Sequence, residues 1–290
     1  MRKLPAPDPR LFQAGFQLFF LTFGLLVLQW DIGPQHIAAS VGGCLLFQYG
    51  FECIRQARWI APVREFRHWG FSVLISALSL CLLLRTNSWH SSLLAAAFSV
   101  GSKYLFRFRG QHLFNPSAFG IVATLLLTND AWLSPGQWGS GTLLFFLILT
   151  LGTIVVTRVQ QLDVSLAFLA GYAGLMAWRQ LWVLGWPPDH FVHTLCTGSL
   201  LLFTFFMISD PRTAPAHPLA RIAWGFGVGA LAFCLAAFKW WYNTPLTVLV
   251  LAAPLVPLLN HLLPRQRFAW KGSPLPLPSF IKTKKHAAHL

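Results

Sequence analysis

Apolar runs recur along almost the whole chain, parted by short polar joints, and no polar segment is long enough to fold separately in water. They fall at about 12–28, 37–51, 70–84, 91–100, 114–127, 142–157, 164–177, 192–208, 222–238 and 244–263. A bilayer core of about 30 Å asks for roughly 20 apolar residues per helix, so the fourth and fifth runs are short for a full span. The pattern predicts an all-α, polytopic membrane protein with about ten transmembrane helices. It reads as one integral membrane domain over 1–290, with an N-terminal segment 1–11, a bundle 12–263 and a basic tail 264–290.

Composition agrees. Hydrophobic residues make up 55% of the chain and charged residues 10%, and the mean hydropathy is +0.57, far from a soluble globular domain. The net charge of +14 could suggest nucleic acid, but its distribution points elsewhere. Threading ten spans with the N-terminus inside puts nineteen of the 22 basic residues on the cytoplasmic side. Only Arg85, Arg179 and Lys239 fall outside, the asymmetry expected of short loops beside anionic lipid. Both termini are therefore expected in the cytoplasm of a bacterial cell and the bundle in its inner membrane, with no nucleic-acid partner. The first run follows Met-Arg-Lys, yet no small-residue cleavage site follows Leu28, so it is expected to stay as a helix. Cys44, Cys53, Cys81, Cys196 and Cys234 form no C-x-x-C pair and read mostly as small core residues.

One stretch breaks the apolar rule. Residues 103–127, KYLFRFRGQHLFNPSAFGIVATLLL, set three cations, a glycine and an Asn-Pro step against a helix. Asn115 suits an N-cap and Pro116 a first turn. The same residues also fit a polar site at a helix N-terminus, where backbone N–H groups are free. Lys103, Phe106, Gly110, Phe114, Asn115 and Pro116 spell K-x-x-F-x-x-x-G-x-x-x-F-N-P. This resembles the entrance to the fifth helix in the RnfD family of membrane flavoproteins, which supplies one subunit to the Rnf complex and another to the Na+-translocating NADH:quinone reductase. Residues 193–225, with F-F-x-x-S-D-P ending in Asp210 and Pro211, resemble that family's eighth helix, and 244–265 its last.

The resemblance implies a flavin, riboflavin or FMN, held without a covalent bond by His112 and Asn115, with Lys103, Gly110 and Asp210 shaping the site. If His112 and Asn115 lay on one helix, their i, i+3 spacing would put them on one face. It further implies a 5+5 inverted repeat, hinted at by Asn115-Pro116 and Asn243-Thr244-Pro245. Partners would be other redox or membrane subunits, a quinone and the bilayer. Family members also carry FMN on a Thr in an S-G-A-T-like motif. Here the nearest approach is Ser140-Gly141-Thr142, which lacks the intervening small residue, so covalent attachment is not expected. Asp210-Pro211 equally suits a helix cap, with Arg212 or Arg221 as a pairing partner. His36, His90, His190 and His193 lie near helix ends, a poor arrangement for haem. Read this way, the chain is a membrane electron-transfer subunit, incomplete as an oxidoreductase alone. A solute channel, given the family's likeness to urea transporters, and a cofactor-free scaffold are the alternatives.

Overall fold

The computed structural model describes residues 8–56, 62–133, 142–266 and 268. Ser140, Gly141 and the tail 282–290 lie outside them. Helices dominate, and each predicted apolar run falls on one helix or, for the eighth and tenth, on two in succession: α1 Pro9–Leu26, α2 Pro34–Gln56, α3 Pro62–Leu83, α4 Trp89–Leu105, α5 Pro116–Leu127, α6 Thr142–Arg158, α7 Leu162–Ala177, α8 Pro188–Leu195, α9 Gly198–Leu202, α10 Pro218–Lys239, α11 Thr244–Ala252 and α12 Leu255–Leu262. Two of these, α2 and α10, are alone long and apolar enough to cross a membrane. Counting each bent pair as one span raises the number to four among the described residues.

The bends explain where the sequence reading was too smooth. The eighth run is α8 followed, across Thr197, by α9 and a π-helical turn Phe203–Met207, with a 51° bend between α8 and the rest. The tenth run is bent by 51° between α11 and α12, at a joint that holds Pro254. Proline cannot donate to the preceding turn and clashes with it. Elsewhere the starts follow their sequence cues. Asp8, Ser88 and Asn115 each accept a backbone N–H of the first turn, and Pro9, Pro116 and Pro218 occupy first-turn positions where no donor is needed.

Packing is organised by halves. In the first, α1 lies along α3, α2 along α3 and α4, and α4 along α5. In the second, α6 meets α9 and its π turn, α7 runs the length of α10, and α10 meets α11. Between halves, α5 meets α11 and α1 meets α6.

Two minimal antiparallel ribbons close opposite ends of the bundle. At one end, β2 Arg107–Phe108 pairs with β3 Gln111–His112. Their turn is Arg109-Gly110, with φ of 49° and 84°, the positive pair a two-residue hairpin of primed type demands. At the other end, β1 Leu84–Thr86 pairs with β4 Ala131–Leu133. The Asp130 carboxylate there accepts from Ser88 N at 3.0 Å, Ser88 Oγ at 2.6 Å and Ser91 Oγ at 2.6 Å. These bonds, Ser88 foremost, hold the Asp130 carboxyl down at about 2.

Candidate functional site

A cleft opens where the N-terminus of α5 meets the end of the π turn. Its walls come from five separated stretches: Arg10 and Gln13 of α1, Ser72 and Ser76 of α3, His112 and Asn115, Val155 and Val159, and Phe206 with Ser209 to Arg212. The cleft encloses about 60 Å³. Ligand pockets usually offer roughly 300–1,000 Å³, so the cleft as it stands takes water or the edge of a ring.

Asn115 is buried, and much of its amide is engaged. Its Nδ2 donates to the Met207 carbonyl at 3.1 Å, and its Oδ1 accepts from Ala118 N at 3.1 Å and Ser117 Oγ at 3.0 Å. The cap thus also ties α5 to the π turn. Gln13 Nε2 does the same for α1, donating to the Phe206 carbonyl at 3.2 Å. The C-terminal carbonyls of a helix lack internal partners, and here two neighbouring helices supply them.

His112 and Asn115 do not share a helical face, because His112 lies in β3 and Asn115 precedes the first residue of α5. The cleft brings them together all the same. The His112 Nε2 stands 3.8 Å from the Asp210 Oδ2. Burial pushes the imidazole below its ordinary value of 6.5 against the pull of Asp210. For Asp210, burial works to raise the carboxyl, but His112 and the Arg212 backbone and charge outweigh it and hold it below the usual carboxylate range. The pair is therefore a neutral imidazole beside an anion at neutral pH.

Asp210-Pro211 does not cap a helix. Asp210 Oδ1 accepts from Arg212 N at 3.0 Å, and its carbonyl accepts from Thr213 N and Ala214 N, both at 3.1 Å. This is a local Asx turn, and α10 starts only at Pro218, after its own cap His217. Nor does Arg221 pair with Asp210, since its guanidinium binds Asp163. The remaining candidates lie off the cleft. Lys103 donates to the Ser72 carbonyl at 3.3 Å behind the cleft wall, and Gly110 is at the exposed hairpin tip. The sequence reading missed Arg212 as a cleft residue, whose buried Nε has no hydrogen-bond partner, and missed Gln13, Ser72 and Ser76, which reach the site only through tertiary packing.

At the opposite end a roomier cavity of about 310 Å³ lies beside the start of α11, lined by Tyr172, Thr194, Thr197, Ser199, Phe203, Trp241 and Asn243 among others. His190 and His193 are exposed near this end. His36 is buried, with Nδ1 2.7 Å from Ser92 Oγ. Among the described residues no group of three His, Cys, Asp or Glu could hold a metal ion.

Apolar helices joined by buried polar contacts, with a charged cleft at one end, define a helical protein of membrane type. The model of the NQR2, RnfD, RnfE family matches residues 130–269. The chain is 25% identical over 277 positions to the subunit lettered D of the ion-translocating oxidoreductase complex of Ectopseudomonas mendocina (strain ymp), a match that covers 74% of this chain and 79% of that protein. The same-named protein of Pseudomonas paraeruginosa (strain DSM 24068 / PA7) is 26% identical, covering 58% and 65%. That of Vibrio cholerae serotype O1 (strain M66-2) is 27% identical over 104 residues, covering 36% and 30%. The chain thus spans less than two thirds of the latter two relatives. Together these findings support the RnfD-like family for this chain.

Proposed function

We propose that this chain is a membrane electron-transfer subunit of a multi-subunit oxidoreductase complex, set in the bacterial inner membrane by ten helices in two inverted sets of five. The similarity to subunits of ion-translocating oxidoreductase complexes carries the first part. The second is supported by the matching order of contacts in the two halves, α1 on α3 and α2 on α4, then α6 on α9 and α7 on α10.

The cofactor in this reading is a non-covalent flavin whose polar edge enters the cleft. The observation that carries it is the buried, unpartnered Arg212 Nε, a donor of the kind that ring carbonyls and nitrogens accept. His112 would flank that edge, and Asp210 would fix the imidazole. Asn115, already bound to Met207 and Ala118, positions the helix start. A bound flavin supplies one- and two-electron chemistry between a partner redox protein and a further carrier or quinone.

The test is the absorbance of the purified protein before and after acid precipitation. Flavin released to the supernatant supports the reading, and Arg212→Leu should then lower flavin per folded protein. A colourless protein ends the cofactor assignment, and flavin retained by the precipitated chain ends the non-covalent one.

A further inference from the structure

The cavity of about 310 Å³ beside the start of α11 has a neighbour of about 240 Å³, lined by Met176, Arg179, Gln180, Trp186, Phe233 and Trp240 among others. Tyr172 of α7, Thr194 of α8 and Ala236 of α10 border both, so the two meet along one wall. The joined groove changes character along its length. Toward α11 it is walled by Leu83, Leu133, Phe203 and Leu246. At its other end stands Arg179, in a π-helical turn Trp178–Val183 that extends α7. Exposed Trp182 on that turn, and Trp240 and Tyr242 in the joint between α10 and α11, are the aromatic residues expected at a membrane–water interface.

The polar groups of the groove are held in place and left incomplete. Arg179 Nη1 donates to the Ala237 carbonyl at 2.6 Å, and its guanidinium carbon stands 4.6 Å from the centroid of the Phe238 ring. No carboxylate pairs with Arg179, or with Lys239 at the end of α10, among the described residues. A guanidinium bound once still offers N–H donors. Both are among the three basic residues that fall outside when ten spans are threaded, against the usual bias. Tyr172 is fixed by Phe168, stacked at 5.8 Å between centroids, and by Phe233, edge-on at 6.1 Å. Its hydroxyl makes no hydrogen bond among the described residues, whereas a buried tyrosine usually finds one. Thr244, at 2% exposure, is likewise unpartnered at its hydroxyl.

A largely apolar cavity does not favour water. A cation at one end, free hydroxyl donors on the walls and an apolar remainder match the phosphate, ester carbonyls and acyl chain of a glycerophospholipid. We propose that this groove binds one anionic phospholipid, its phosphate at Arg179, its ester carbonyls at the Tyr172 and Thr244 hydroxyls, and one acyl chain against Leu83, Leu133 and Leu246. An acyl chain gains little by leaving lipid for protein, since both are apolar. Selectivity therefore comes from the polar end, where Lys239 adds the charge that favours an anionic headgroup over a zwitterionic one.

This inference stands apart from the flavin reading, and its test needs no cofactor. The purified full-length chain in detergent is titrated with phosphatidylglycerol or phosphatidylethanolamine of identical acyl chains, and single-lipid adducts are measured by native mass spectrometry. Phosphatidylglycerol should bind about tenfold more tightly, and excess glycerol 3-phosphate should not displace it. Arg179→Gln should erase the preference, since losing a charged donor is worth about tenfold or more. Tyr172→Phe, which removes one oxygen from a ring that stays packed, should weaken both lipids about fivefold. Ala236→Trp, which fills the junction of the cavities, should abolish the adduct. If either of the other variants is not monodisperse on size exclusion, Tyr172→Phe gives the deciding affinity. Arg109→Gln, at the exposed hairpin tip of the other end, should change nothing. Equal binding of the two lipids by the wild type, displacement by glycerol 3-phosphate, or wild-type affinity in the Tyr172 variant overturns the proposal.

Discussion

The seams α2–α4 and α7–α10 hold corresponding places in the two halves, yet they are built from opposite materials. In α7–α10 the helices touch backbone to backbone. A Cβ on Gly171 would stand 2.4 Å from the Phe226 carbonyl oxygen, and one on Gly229 would stand 2.3 Å from that of Phe168. In α2–α4 the one comparable glycine, Gly43, would bring a Cβ against side chains, Leu93 Cδ1 at 2.7 Å and Ala96 Cβ at 3.1 Å. The rest of that seam mixes apolar contacts, such as Phe51 stacked on Tyr104 with ring centroids 5.0 Å apart, with polar ones, His36 to Ser92 and Gln48 to Tyr104. Small residues alone suffice to bring two apolar helices together. The polar load of α2–α4 therefore exceeds what packing requires, and intramembrane polar groups of that kind mark function more often than architecture.

The largest expected effect breaks the glycine seam. Gly229→Leu has no room short of moving a main chain, so the folded, monodisperse fraction after detergent extraction should collapse. Gly43→Ala meets side chains rather than main chain, the nearer being the flexible end of Leu93, and its cost should stay within about 1–3 kcal/mol, a fall of a few degrees in the melting temperature. Equal losses in the two variants would erase the distinction between the seams.

A second, intermediate effect belongs to Asn115. Asn115→Leu leaves the Ala118 N–H and Met207 carbonyl without that partner, at about 1–3 kcal/mol for each buried group left unmade. Thermal melting should show the loss. Asn115→Asp, which keeps the cap acceptor and removes the donor to Met207, should fall between. If both variants melt like the wild type, the link between α5 and the π turn carries no load.

The smallest effect is a pH dependence at the cleft. The folded pKa of His112 is depressed, so between that value and its ordinary 6.5 the unfolded chain binds more protons than the folded one. Stability from this group is present above about 6.5 and is lost as pH falls. Asp210, also depressed, acts with the same sign below its ordinary 3.8. The melting temperature should decline as pH is lowered from 7 toward 5, and His112→Gln should flatten that decline. A wild-type curve that rises on acidification would mean that the imidazole is held charged by Asp210.

Much of this was legible in the chain. Helix positions followed from apolar runs and from the Asn115-Pro116 cap. The bends at Thr197 and Pro254 were not read, because the apolar runs continue across both joints and hydropathy averages over them. Asp210-Pro211 looked like a cap because an Asx turn and a helix N-cap use the same carboxylate on the same nearby N–H groups. The placement of His112 failed for a related reason: the Arg109-Gly110 turn governs the chain until Asn115, so helical spacing does not apply. Gln13 and Ser72 had no local signal, since they reach the cleft only through the packing of α1 and α3. The buried polar and thiol positions of α2, His36, Ser40, Cys44, Gln48 and Glu52, recur at a period of four and were not read, obscured by the surrounding leucines and phenylalanines.

The π-helical turn Phe203–Met207 has a further consequence, which concerns counting. A π turn accommodates one residue more than an α turn in nearly the same height, and the carbonyls of Phe206 and Met207 at its end receive Gln13 and Asn115. Deleting one residue within Phe203–Met207 would rewind the π turn to an α turn of nearly the same height and redirect the carbonyls that now meet Gln13 and Asn115. Many apolar side chains could serve at these positions, but only one number of them, so here the gene constrains reading length more tightly than spelling.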